Sequence, residues 1–93
     1  MDMNEQVLRS VKGGYNKLAV ITKLDSYNTL LAALEHGSLN RRQALDELEK
    51  IRYTELPKEK SGLFGKVGFS AEDTDAYLQN CEQMILEKLE NLI

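Results

Sequence analysis

The sequence predicts an all-α fold: a small helical bundle, or a pair of helical hairpins, with about four helices and one long loop rich in glycine and lysine. The chain contains one proline and is rich in Leu, Glu, Lys and Ala, which favour helix. Apolar side chains recur every three or four positions, the period of an amphipathic helix. The 93 residues suit a single domain, 1–93, and 42% apolar with 29% charged residues is typical of a folded chain.

The first predicted helix is short and covers residues 5–12. Asn4 can act as its N-cap, and the pair Gly13-Gly14 ends it. Its apolar face comprises Val7, Leu8 and Val11. Because eight residues alone do not hold a helix in water, we expect this segment to dock on the rest of the chain.

The second and third predicted helices form a hairpin. The second covers residues 17–36, from the N-cap Asn16 to Gly37, and carries an apolar stripe at steps of four and three: Val20, Leu24, Tyr27, Leu31 and Leu34. The third covers residues 41–52, where Asn40 and Gln43 have capping-box spacing. Its apolar side comprises Ala44, Leu45, Leu48 and Ile51. A turn this short makes the two helices antiparallel neighbours.

A loop is predicted over residues 53–69 and a last helix over residues 71–92. The loop is long for a connector in a compact domain, which indicates either a function or disorder. Ser70 and Asp73 have the spacing of a capping box at the start of the last helix. The buried stripe of this helix is predicted to comprise Tyr77, Leu78, Cys81, Met84, Ile85, Leu89 and Leu92.

Two segments resemble each other across the offset from Gly14 to Gly68. Gly14-Tyr15-Asn16 and Gly68-Phe69-Ser70 each place a glycine, an aromatic residue and a small polar cap before an amphipathic helix. One interpretation is a duplicated unit at about 11–36 and 65–92. The other is that any two capped helices preceded by glycine look alike.

Residues 68–78 resemble the DivIVA-domain signature. They read Gly-Phe-Ser-Ala-Glu-Asp-Thr-Asp-Ala-Tyr-Leu, against Gly-Tyr-Asp, two variable residues, Glu-Val-Asp, one variable residue and Phe-Leu in the family. Residues 14–20 resemble a second, weaker copy. DivIVA proteins are bacterial scaffolds that dimerise through helices and recruit cell-envelope proteins at the septum, the pole or curved membrane. The resemblance therefore implies a role in bacterial division or envelope organisation.

Two departures from the family pattern bear on this implication. Family scaffolds run from the motif into a long parallel coiled coil, whereas no heptad stretch here is long enough for a rod. Membrane-binding members carry an exposed aromatic residue two positions before the motif glycine, where this chain has Lys12 and Lys66, with Phe64 nearby. The resemblance therefore implies the fold of the motif. It implies filament formation and membrane binding less strongly.

The charge and the N-terminus indicate location and exclude one class of partner. A net charge of −3, spread along the chain, argues against nucleic-acid binding. The acidic N-terminus is unlike a signal peptide, and no apolar run approaches the roughly 20 residues that span a bilayer. A lone cysteine, Cys81, suits a reducing compartment. We expect a cytoplasmic protein, either free or peripheral at the inner face of the membrane.

Candidate chemistry is sparse, and we predict no catalytic residue, no cofactor and no metal site. His36 is interpreted as a surface residue at a helix C-terminus, and Cys81 as a small core hydrophobe. The glycines at 62, 65 and 68 lack the ending of a phosphate-binding loop. The carboxylates lie at caps or on exposed faces, so acid–base catalysis has no evident site.

The candidate interaction residues lie in the loop, at the repeated aromatics and at the start of the third helix. Leu63 and Phe64, next to Lys66, form either an apolar tip that docks on an anionic membrane or a partner's groove, or a flap over the core. We favour the flap because small domains need every large apolar group. Recognition is assigned to the loop around Phe64 and to the aromatic residues of the repeat, Tyr15 and Phe69.

Arg41 and Arg42 open the third predicted helix, where the helix dipole disfavours cations. This choice of residues can mark a contact site for an acidic partner. The simpler interpretation is solvated surface, and we favour it.

The sequence predicts a non-catalytic, DivIVA-like interaction module, a homodimer whose protein partner is unknown. The residues expected to be buried are Leu24, Tyr27, Leu31, Ile85 and Leu89. An alternative is a small adaptor or inhibitor that occludes a larger protein, since the acidic charge suits a basic surface. A third hypothesis, a helical DNA-binding regulator, is supported only by the turn between the second and third helices, and the net charge argues against it.

Overall fold

The computed structural model describes residues 8–91. In chain order the elements are β1 (Ser10–Lys12), α1 (Lys17–Glu35), α2 (Arg41–Arg52), β2 (Val67–Phe69) and α3 (Ala71–Glu90). The two strands form one antiparallel sheet. The fold is therefore α+β with three helices, and the prediction of an all-α fold with about four helices is wrong.

The first predicted helix is the source of this error. Residues 5–7 lie outside the described part of the chain, and Ser10–Lys12 form β1 rather than the end of a helix. Val11 is paired with Gly68, so β2 lies inside the segment predicted as a loop, residues 53–69. A helix of two turns gains too few hydrogen bonds to offset its nucleation, whereas the same backbone finds ready partners in β2.

Two glycines allow the chain to cross itself just beyond the sheet. Tyr15 and Phe69 exchange both backbone hydrogen bonds, each with an N···O distance of 2.8 Å. A Cβ on Gly14 would collide with the carbonyl oxygen of Phe69, and one on Gly68 would collide with the carbonyl oxygens of Gly14 and Tyr15. Glycine is therefore required at both positions because each backbone lies directly against the other.

The two segments interpreted as a repeat share one backbone conformation. Asn16 caps α1 with φ −52° and ψ 124° and accepts from the N–H of Ala19, while Ser70 caps α3 with φ −50° and ψ 127° and accepts from that of Asp73. The reciprocal Tyr15–Phe69 bonds relate the two segments by an approximate two-fold. The likeness between them therefore extends from the residue pattern to the geometry.

α1 and α3 begin side by side at this crossing and run in the same direction. The Tyr27 hydroxyl in the middle of α1 donates to the Glu82 carboxylate in the middle of α3, at 2.8 Å. Further along, Leu31 and Glu35 line the same surface depression as Lys88 and Asn91. The crossing thus fixes the N-terminal ends of both helices at one end of the molecule.

The hairpin of α1 and α2 forms as predicted. The capping box between Asn40 and Gln43 is present at the start of α2, which spans the expected residues. α1 ends at Glu35, one residue earlier than predicted, and Gly37 follows with φ +69°. The Ser38 N–H donates to the Ala33 carbonyl at 2.9 Å, which makes this end a Schellman motif.

One core lies between the three helices. It comprises Tyr27, Leu30, Leu34, Ala44, Leu48, Ile51, Leu78, Cys81, Ile85 and Leu89. Of the five residues expected to be buried, Tyr27, Ile85 and Leu89 are buried, while Leu24 and Leu31 are half-buried against this core. The predicted stripe residues Leu45 and Met84 are exposed instead. Leu92 lies outside the described residues.

Lys23 is buried against the end of α2, which the sequence did not indicate. Its ammonium group donates to the carbonyl oxygens of Arg52, at 3.2 Å, and Thr54, at 2.7 Å. These groups lie at the C-terminus of α2, where helical carbonyls lack intrahelical partners. Burial lowers the pKa of Lys23. The lysine therefore fixes the end of α2 to the first half of α1.

Candidate interaction surface

The segment before β2 forms a tight turn. Gly62 has φ +95°, and its carbonyl accepts from the N–H of Gly65 at 3.0 Å. A second hydrogen bond encloses the first, because the Lys66 N–H donates to the carbonyl of Lys60 at 2.9 Å. A Cβ on Gly65 would collide with the backbone of Lys60 and Ser61. The two glycines and their hydrogen bonds therefore define the shape of this turn.

Leu63 and Phe64 occupy the two central positions of this turn, and we call them the tip. The side chain of Leu63 is 84% exposed and that of Phe64 is 91% exposed, the largest values among the exposed apolar residues. The interpretation that they fold back over the core is wrong. The turn is tied to the Gly13 N–H by the Lys66 carbonyl, at 3.1 Å, and this holds it against the sheet and away from the helices.

Basic side chains surround the tip. Lys60 and Lys66 flank the turn, Lys12 lies opposite Val67 in the sheet, and all three are exposed. Val67 is exposed on the same face of the sheet as Lys12, and Val11, which pairs with Gly68, is exposed on the other face. The surface is therefore apolar at its centre and positively charged around it, a combination that suits an apolar site with an acidic border.

Tyr15 and Phe69 lie at the base of this surface and are half-buried. The Tyr15 hydroxyl donates to Asp75 at 3.0 Å, and burial together with this bond raises the pKa of Tyr15. The ammonium groups of Lys17 and Lys58 lie over the rings of Phe69 and Tyr15, at 5.1 Å and 5.8 Å from the centroids. Both aromatic residues are thus covered by other side chains of the chain.

An ion pair fastens β1 to the start of α3. The Arg9 guanidinium donates to both carboxylate oxygens of Asp73, at 2.8 and 2.9 Å, and the Arg9 N–H donates to the same group at 3.0 Å. These bonds lower the pKa of Asp73 to about 2. Asp73 therefore reaches across to Arg9, while the Ser70 N–H donates to the carbonyl of Arg9 at 2.7 Å.

Arg41 and Arg42 are exposed at the first turn of α2. α2 begins where α1 ends, and α1 has 19 residues, a length of about 28 Å. The structure therefore places these two arginines at the opposite end of α1 from the tip. It brings Leu63, Phe64, Lys66, Tyr15 and Phe69 together at one end.

A groove between α1 and α2 was not predicted. It has a volume of about 490 Å³ and is lined by Thr22, Asp25, Ser26, Thr29, Leu30, Ala33, Leu39, Glu47 and Ile51. Its depth comes from small residues repeated along one side of α1, from Thr22 to Ala33. Small residues at helical spacing are the one signal in the sequence that could have indicated it.

The described residues offer little reactive chemistry. Cys81 is buried in the core, where burial raises the pKa of its thiol and so favours the protonated form. His36 is exposed at the C-cap of α1. Within residues 8–91 no group of three His, Cys, Asp or Glu side chains could hold a metal ion, and no helix is long and apolar enough to cross a membrane.

Comparisons of the chain with protein-family models, with curated proteins and with solved structures found no match. The resemblance of residues 68–78 to the DivIVA signature therefore stays a prediction from the residues themselves.

Proposed function

We propose that this protein is a non-catalytic interaction module that binds protein partners through the tip. The observation that carries the proposal is the exposure of Leu63 and Phe64 on a turn whose backbone is fixed by hydrogen bonds. Large apolar side chains that a small domain leaves outside its core are available for an interface.

The energetics of the tip suit binding. Burying one Leu or Phe side chain completely is worth about 1.5–3 kcal/mol. The turn is ordered before any partner arrives, so binding does not have to order its backbone as well. An aromatic anchor at the centre, with polar residues at the rim, is a common arrangement in protein interfaces.

We infer a scaffolding role in bacterial division or envelope organisation from the DivIVA-like residues 68–78. Self-association, expected from the same resemblance, would let one scaffold present several tips. A fluorescent fusion in a rod-shaped bacterium is expected to gather at the septum or the poles. Uniform fluorescence through the cytoplasm would refute this part of the proposal.

The experiment that tests binding through the tip compares F64S with a matched control. Y53S removes another aromatic residue, 72% exposed at the C-cap of α2 and outside the turn. Each variant and the native protein serve as bait in cells that express the protein, with chemical crosslinking and mass spectrometry as the readout. F64S is expected to lose crosslinked proteins that the native protein and Y53S retain.

The unfolding temperature of each bait is measured alongside. Equal temperatures show that a loss of capture by F64S comes from the surface, since Phe64 contributes little to the core. Capture of the same proteins by F64S and by the native chain would contradict the assignment of the tip as the binding site.

A second candidate is an anionic membrane surface, and the observation that favours it is the lysines around the tip. Half of the twelve Lys and Arg residues lie within residues 9–17 and 58–66. Basic residues near an apolar insertion favour anionic lipids. Cosedimentation with vesicles containing phosphatidylserine, abolished by K60E/K66E and absent with neutral vesicles, would support it.

A further inference from the structure

We propose that the tip of one molecule docks into the groove between α1 and α2 of a second copy of this chain. The inference rests on the proposed function, because it names the partner of the same tip. It joins two features at different places in the fold: an apolar projection surrounded by lysines and an apolar depression with acidic residues at its border.

The size and lining of the groove fit the tip. The buried side chains of Leu30 and Ile51 lie at the groove, together with the half-buried Leu39 and Ala33. The groove has a volume of about 490 Å³, within the range of about 300–1,000 Å³ that holds a small ligand. It therefore has room for the side chains of Leu63 and Phe64. Leu63 and Phe64 would remove apolar surface from water on both molecules at once.

The charges around the two features are opposite. Asp25 and Glu47 line the groove, from α1 and α2 respectively, and Lys60 and Lys66 flank the tip. Glu47 is engaged by Lys50 at 3.3 Å, an exposed pair one turn away, and such pairs contribute little. Docking therefore brings carboxylates and ammonium groups together, and the only contact within the groove that it disrupts is the weak Glu47–Lys50 pair.

The tip of a molecule does not fill its own groove. Leu63 and Phe64 are almost fully exposed, and the bond between the Gly13 N–H and the Lys66 carbonyl holds their turn at the sheet. Tip and groove are different surfaces, so two copies can dock reciprocally, each tip in the groove of the other, or join head to tail. Copies joined head to tail form a series, which closes into a ring or stays open.

The test separates the two halves of the interface by complementation. F64A keeps the groove and loses the anchor of the tip, whereas D25K/E47K keeps the tip and reverses the charge of the groove. All three positions are exposed, so both variants are expected to unfold at the native temperature. Y53S is the control that loses an exposed aromatic residue elsewhere.

Sedimentation velocity over a concentration series gives the outcome. The native protein and Y53S are expected to associate as concentration rises, as a reciprocal dimer or as a longer series. F64A alone and D25K/E47K alone are expected to be monomers, with association at least about tenfold weaker than that of the native chain. Their equimolar mixture is expected to form a dimer and nothing larger, because only one tip and one groove match.

Three results overturn the inference: a native protein that stays monomeric, an F64A variant that associates as strongly as the native chain, and a mixture of the variants that does not associate. Binding of the native monomer to anionic vesicles through the tip would assign that surface to lipid. If the native protein is monomeric while F64S still loses its crosslinked partners, the proposed function stands and the second copy is the wrong partner. If capture does not depend on Phe64, the proposed function fails as well.

Discussion

Replacing Thr74 with valine is expected to raise the free energy of unfolding by about 1 kcal/mol. Thr74 lies in the first turns of α3 and is fully buried. Its hydroxyl oxygen has no hydrogen-bond partner among the residues that the structure describes. A buried hydroxyl without a partner costs about 1–3 kcal/mol in proteins, and valine fills nearly the same volume without it.

The approximate two-fold supplies a matched control. Val20 occupies in α1 the position that Thr74 occupies in α3, since their N–H groups donate to the carbonyls of the two caps, Asn16 and Ser70. Val20 is also fully buried. V20T adds a second buried hydroxyl and is expected to lower the free energy of unfolding by about 1–3 kcal/mol.

Urea denaturation followed by circular dichroism measures both changes, with an unchanged m-value as the check on two-state behaviour. For a domain of this size 1 kcal/mol shifts the unfolding temperature by about 4–8 °C. A T74V variant less stable than the native protein would refute the reasoning, because it would show that the hydroxyl makes a stabilising bond. Equal and opposite changes in T74V and V20T would support the equivalence of the two sites.

Three further predictions concern the ion pair, the crossing and the tip. The pKa of Asp73 is about 2 in the folded protein, below its usual 3.8. The Arg9–Asp73 pair therefore stabilises the fold above about pH 4, and this stabilisation is lost as the pH falls toward 2. The difference in unfolding temperature between the native protein and D73N should shrink between pH 4 and pH 2. G68A is expected to cost about 3 kcal/mol or more, since its Cβ collides with backbone, whereas G37A, with φ +69° but open space, should cost about 1 kcal/mol in the same urea assay. F64S should change the free energy of unfolding by less than about 0.5 kcal/mol, and a larger loss would show that Phe64 packs on the core.

The helices were predictable because their signals are local. Asn40 with Gln43, Asn16, Ser70 and Gly37 each mark a helix end through contacts within four residues, and the apolar period marks the buried side. The strands were not, because three residues carry no usable period. β1 forms only through its pairing with β2, which lies more than fifty residues further along the chain, so no local signal indicates it.

The exposure of the tip was predictable in part. The sequence places Leu63 and Phe64 in the loop over residues 53–69. Their direction depends on the bond that ties the turn to Gly13, which is a long-range contact. A flap over the core was expected because small domains need every large apolar group. The flap does not form because the three helices already close the core with Leu48, Ile85 and their neighbours.

The groove and the buried lysine depend on packing between helices. Lys23 falls on the buried side of α1, and its burial is acceptable only because the end of α2 supplies two carbonyl oxygens. No pattern in α1 alone reveals that. The groove likewise requires α2 beside the small residues of α1.

The chain combines both halves of its crossing in one covalent molecule. In a homodimer built from such halves, every mutation would appear twice, once on each side of the axis. Here each side can change alone, and the sides have diverged: α1 shows solvent Leu18 and Ile21 where α3 shows Glu72 and Asp75. The two sides of the molecule therefore differ: a neighbouring molecule contacts apolar side chains on the α1 side and carboxylates on the α3 side.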